Sequence, residues 1–100
     1  MKLWIDDIRP APPGYTWARS VHEAQDYISQ WLWENKLPLL ELIDIDHDAG
    51  DYAFAGGDYI HFLDWLELMN YNFPIHIHSM NPVGVANMRR IIRRNGWKEI

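Results

Sequence analysis

One hundred residues make one modest domain, and with 48% hydrophobic residues the chain is too apolar to stay disordered. It has no cysteine, which excludes disulfides and thiolate metal sites and fits a reducing, cytoplasmic setting; its formal net charge of −5 argues against duplex nucleic acid as a partner. No apolar run reaches the roughly 18–20 residues that span a bilayer, and the N-terminus lacks the apolar stretch of a signal peptide, so no membrane partner is expected.

In chain order, residues 2–6 form a short apolar strand that runs into Asp6-Asp7. The loop Pro10-Ala11-Pro12-Pro13-Gly14 follows, too rich in breakers to be helical. Tyr15-Thr16-Trp17-Ala18-Arg19 is rich in β-formers and predicts a second strand. Ser20, with Glu23 three residues on, has the spacing of a capping box. The helix it opens puts Val21, Ala24, Ile28, Trp31 and Leu32 on one face and ends near Asn35, before Pro38. Residues 41–46 are a third strand. A loop from His47 to Gly57 leads to a second helix at about 58–70, with Phe62, Leu63, Leu66 and Met69 facing inward. Residues 74–79 are a fourth strand. Asn81-Pro82 starts a third helix, with proline at its favoured first position, and Gly96 ends it. Trp97–Ile100 predicts a final short strand.

Strands alternating with helices predict a parallel sheet covered on both faces, with right-handed crossovers. Such sheets take ligands beyond the carboxyl ends of their strands. Three of those ends turn polar after an apolar run: Asp6-Asp7, Asp46-His47-Asp48 and His78-Ser79-Met80-Asn81. If the first and third strands are neighbours, Asp6, Asp7 and Asp46 converge. Crowded carboxylates raise one another's pKa, and a hard divalent cation relieves the repulsion, so these oxygens suit Mg²⁺, Mn²⁺ or Ca²⁺. The competing reading is that these aspartates only cap helices or solvate loops.

Alternation along a strand puts Asp44 with Asp46, and His76 with His78, on shared faces. Asp44 is expected to orient His76 as a structural pair, and Asp46 to lie near His78. His78, near its strand end, can be a general acid or base, a metal ligand or a phosphate donor. His47 either donates to a phosphate or points to solvent. Ser79 can hydrogen-bond a phosphoryl oxygen, and Asn81 both caps its helix and stands where an anion would bind. His22 and His61 belong to helix surfaces. Arg89, Arg90, Arg93 and Arg94 read as surface charge that complements a helix dipole, in preference to nucleic-acid contacts. Trp31, Trp65 and Trp97 fit the core, while Trp17 or Tyr15 could stack on a base.

These residues resemble the receiver domain of two-component response regulators, in which an acidic pair after strand one and an aspartate ending strand three bind Mg²⁺, and that aspartate accepts phosphate. Asp6-Asp7, Asp46 and Ser79 occupy the matching places. More closely, Ile5-Asp6-Asp7-Ile8-Arg9-Pro10-Ala11-Pro12, Asp46-His47-Asp48, Gly57-Asp58-Tyr59 and His78-Ser79-Met80-Asn81-Pro82-Val83-Gly84-Val85-Ala86-Asn87-Met88 are similar to the cyclic-phosphate processing receiver domain. The resemblance implies one α/β domain over residues 1–100: a flavodoxin-like three-layer sandwich with a five-stranded parallel sheet, order 2-1-3-4-5, lacking the first and last receiver helices. Taken together with the residues themselves, including the His47, Asp48, His78 and Asn81 that an ordinary receiver does not need, the expectation is metal-dependent processing of a cyclic phosphate or small nucleotide, with Mg²⁺ or Mn²⁺ held by Asp6, Asp7, Asp46 and Asp48. Asp46 and His78 would be catalytic, and Ser79, Asn81 and His47 would bind phosphate. The alternative is a non-catalytic phosphoacceptor or nucleotide-binding module. The chain departs from an ordinary receiver in its proline loop, in its long loop after strand three, and at Lys98, which lies late in the last predicted strand.

Overall fold

Four short parallel strands make the sheet in the computed structural model, which describes residues 1–100. They are β1 (Lys2–Ile5), β2 (Tyr15–Ala18), β3 (Leu42–Ile45) and β4 (Ile75–Ile77), in the order β2-β1-β3-β4. The register sets Ile5 against Ala18 and Ile45, and Asp44 against His76. Three helices connect them: α1 (Val21–Trp33), α2 (Ile60–Leu68) and α3 (Pro82–Arg94).

The helix boundaries follow local chemistry. Ser20 Oγ accepts the Glu23 N–H at 3.0 Å, and Glu23 reaches back to the Arg19 N–H at 3.0 Å, so α1 starts where its capping signal stands. Asn35, at φ 58°, ends it, and the Lys36 N–H returns to the Trp31 carbonyl. Val21, Ala24, Ile28 and Trp31 are buried as their spacing requires, but Leu32 is half exposed, at the edge of that stripe. α2 is shorter than expected. Asp58 is spent on the loop, accepting the Ala49 N–H at 2.9 Å, and Asn70 at φ 58° closes the other end. Met69 therefore sits at the C-cap and is exposed, not inward, while Phe62, Leu63 and Leu66 are buried.

The predicted fifth strand does not form. Trp97–Ile100 meets β4 at a single bridge, Ile75 to Glu99. β4 offers only three residues, and the segment is tied to the end of α3, where Gly96 (φ 66°) turns the chain and the Trp97 N–H bonds the Ile92 carbonyl.

The sheet is also covered on one face only. Leu3, Ile5, Ile43, Ile45 and Ile75 are fully buried, in one core with Ile28 of α1, Phe62 and Leu63 of α2, and Met88 and Ile92 of α3. The opposite face carries Lys2, Trp4, Tyr15, Trp17, Leu42, Asp44 and His76, of which only Asp44 is buried. The architecture is two layers, not the expected three. Right-handed crossovers from β2 to β3, from β3 to β4 and onward all move the same way across the sheet, so their helices share a side. The one connection that runs the other way, β1 to β2, is the proline loop, whose missing N–H groups and fixed φ oppose a helix. No helix is long and apolar enough to cross a membrane.

Candidate metal and phosphate site

Because β1 and β3 are neighbours, their carboxyl ends deliver Asp6, Asp7 and Asp46 to one place. The Asp46 N–H bonds the Ile5 carbonyl at 2.9 Å and locks the two ends together. Asp6 is 1% exposed. Its Oδ1 accepts the Ile8 and Arg9 N–H groups, each at 2.9 Å, which shapes the start of the proline loop. Its Oδ2 lies 2.9 Å from His78 Nε2. Burial works against the charge on Asp6, yet those backbone donors and His78 together hold its pKa below the ordinary carboxylate value.

His78 is the centre of a relay. Its Nδ1 lies 2.5 Å from Asp44 Oδ1, and its ring stacks on the Trp4 indole with centroids 4.0 Å apart and planes 6° from parallel. A carboxylate facing each ring nitrogen favours the charged form of the ring. Burial opposes that charge, but Asp44 and Asp6 outweigh it and raise the pKa of His78. The expected Asp44–His76 pair is thus corrected. Although Asp44 and His76 are register partners, the His76 ring turns to the sheet edge, where Nδ1 meets the Ile100 carbonyl at 2.8 Å. His78, just past the strand end, folds back over Trp4 to take Asp44.

Asp7 is also buried, at 8% exposure. Its backbone carbonyl accepts Arg19 Nε at 3.1 Å and Nη2 at 2.7 Å. Its carboxylate packs against Gly50, which stands at φ 53° and where any Cβ would collide with Oδ2. Burial, and then the charges of Asp6 and Asp46, push its pKa up. The same carboxylates surround Tyr59, a fully buried residue whose hydroxyl donates to the Arg19 carbonyl at 2.7 Å; burial and these charges raise its pKa far beyond the ordinary phenol value. Asp46 is half buried, with Oδ1 accepting the His47 N–H at 2.7 Å. One ligating atom each from Asp6, Asp46 and His78 falls within 4.8 Å of the others, close enough for a single ion.

Asp48 stands elsewhere. It belongs to a second group with His47 and Asp58. His47 Nδ1 lies 2.7 Å from Asp48 Oδ1, whose pKa this bond lowers, and Asn81 Nδ2 donates to the same oxygen at 3.3 Å. Asn81 Oδ1 meanwhile caps α3 by accepting the Gly84 N–H at 3.0 Å. The His47 ring lies flush on Gly84, where a Cβ would strike it. Ser79 Oγ accepts the Asn81 N–H at 3.1 Å and stays partly exposed. His22 and His61 are on the surface as expected.

The residues that sequence reading missed are Trp4, Asp44 in its bond to His78, and Asp58. Period-two alternation already put Trp4, Asp44 and His78 on one face, so a signal existed for the first two. Asp58 lay at the end of an aperiodic loop, where its only signal was the Gly57-Asp58-Tyr59 motif of the family resemblance.

A family model for the cyclic-phosphate processing receiver domain matches residues 1–94. No curated protein and no solved structure matches the chain.

Proposed function

The chain belongs to the cyclic-phosphate processing receiver family, and we propose on that premise that it binds and processes a cyclic phosphate or small nucleotide with a divalent metal, Mg²⁺ or Mn²⁺. The observation that carries this reading is the convergence of Asp6, Asp46 and His78 at the carboxyl end of the sheet, beside the buried carboxylate of Asp7. Carboxylate oxygens packed this closely fit a hard cation. Asp6, Asp7 and Asp46 would hold it, and a bound ion would supply Lewis-acid polarisation of a phosphoryl oxygen.

The rest of the chemistry falls to the chain. With Nδ1 of His78 turned to Asp44, the proton it would deliver is the one on Nε2, which lies against Asp6 Oδ2 at the site. In hydrolysis of a cyclic phosphodiester, water forms a new P–O bond and the ring P–O bond breaks. His78 Nε2–H protonates the departing oxygen, and the proton lost by water goes to solvent. Ser79 and the Asn81 amide would hold non-bridging oxygens. His47 and Asp48 position the Asn81 amide.

A second reading rests on Asp46 itself, which directly follows β3 and is partly exposed, as a phosphoacceptor must be. Turnover separates the two. With Mg²⁺ or Mn²⁺ and a panel of 2′,3′- and 3′,5′-cyclic nucleotides, the wild type is expected to release linear monophosphate. Asp46→Asn abolishes this while circular dichroism shows an intact fold. Absence of product, together with stoichiometric phosphorylation by acetyl phosphate, would replace the enzyme with the phosphoacceptor.

A further inference from the structure

The basic residues of α3 lie outside the chemistry above, and their arrangement is more specific than surface solvation. A cleft of about 680 Å³ opens at Ser79 and Met80, directly after His78, and runs along α3 to Arg89, Arg90 and Arg93. Val85 and Ala86 are among its lining residues, and no carboxylate is. Arg94 points away and is engaged by Glu67 through two bonds of 2.8 Å. Arg89 gives only Nε to Glu99, at 2.8 Å, and Arg90 gives only Nη1 to the neutral Asn87, at 3.0 Å. Arg93 has no ion pair and no hydrogen bond through its side chain.

A helix dipole explains cations in the last turn, where Arg93 and Arg94 stand. It does not explain Arg89 and Arg90 in the middle of α3, nor why three guanidinium groups share a cleft in a chain of net charge −5. At about 1.5 Å rise per residue, Arg89 and Arg93 are about 6 Å apart along the helix, and the cleft extends about 16 Å from Pro82 to Arg93. That is room for phosphate groups beyond the one at the sheet edge. Guanidinium forks with free N–H groups are the side chains that best match them.

We propose that this cleft is a second phosphate subsite, which takes the additional phosphates of a ligand whose reacting phosphate sits at Asp46 and His78. The inference rests on the function proposed above and narrows it: the ligand is a nucleotide species with more than one phosphate, and a cyclic mononucleotide fills only half of the site. The added phosphates can come from the internal phosphodiesters of a short strand or from a polyphosphate on a single nucleoside.

Calorimetry in Mg²⁺ with three probes tests this: a nucleoside 2′,3′-cyclic phosphate, the same nucleoside with an added 5′-triphosphate, and a trinucleotide ending in a 2′,3′-cyclic phosphate. At least one of the larger probes is expected to bind tenfold or more tightly than the first, and which one does so assigns the source of the phosphates. Its salt dependence should steepen by about 0.7 in slope of log K against log salt for each phosphate engaged. In R90Q/R93Q, the affinity ratio of the larger probe to the smallest should fall to about one. All three arginines are exposed, so the substitutions do not threaten folding. Equal binding of the three probes, or an unchanged ratio in R90Q/R93Q, overturns the subsite and leaves the sheet-edge site standing. No binding of any probe overturns both.

Discussion

Asp7 is held in the folded state at a cost. Burial and the charges of Asp6 and Asp46 raise its pKa, so at neutral pH its ionised form is less favourable folded than unfolded. Asp7→Asn is therefore expected to stabilise the metal-free protein and raise its Tm. The same substitution should shrink the Tm gain produced by Mn²⁺. Thermal melts of both proteins with and without Mn²⁺ check both halves, and a variant that melts lower without metal would contradict the electrostatic account. His78 and Asp6 set the opposite pattern. A raised histidine pKa contributes stability that is complete below the unfolded value of 6.5 and is lost as pH rises through the folded value. A lowered aspartate pKa contributes stability that is complete above 3.8 and is lost as pH falls through the folded value. The Asp6–His78 contact is thus at full strength between pH 3.8 and 6.5. Metal-free melts should show Tm falling on the alkaline side of that window, and His78→Gln should flatten the fall.

At the scale of the element, the start of α3 shows how a local rule is overridden. Alanine is a better helix former than glycine by about 1 kcal/mol. Gly84 nevertheless lies under the His47 ring, and a Cβ there would collide with it. Gly84→Ala should destabilise the protein by about 1–3 kcal/mol, the usual range for overpacking. Adding His47→Ala should return most of that loss; urea denaturation of the single and double variants measures it. The caps of α1 and α3 were legible because Ser20, Glu23, Asn81 and Pro82 act within one turn. The fate of Trp97–Ile100 was not, because its β-forming residues say nothing of whether a neighbouring strand is long enough to pair with it.

The whole molecule decides whether the acids meet. The order β2-β1-β3-β4 sets β1 between β2 and β3, so Asp6 and Asp46 come from adjacent strand ends. A cation bound there binds only the folded chain, and stabilises it by about 2.7 kcal/mol at a concentration one hundred times its Kd. Mn²⁺ should raise Tm accordingly, EDTA should reverse the rise, and Asp46→Asn should abolish it; an equal rise in the variant would place the ion elsewhere.

The sequence by itself determined the helices and four of the strands, and which polar residues end the strands, since caps, breakers and hydrophobic periods act over a few neighbours. Only the tertiary structure decided that His78 and not His76 takes Asp44, that Asp48 joins His47 and Asp58 rather than Asp6, and that one face of the sheet stays bare. Each of these depends on lateral neighbours from distant parts of the chain. Alternation states which face a side chain is on, but not which way along the sheet it leans, nor what stands beside it when strands and crossovers are in place.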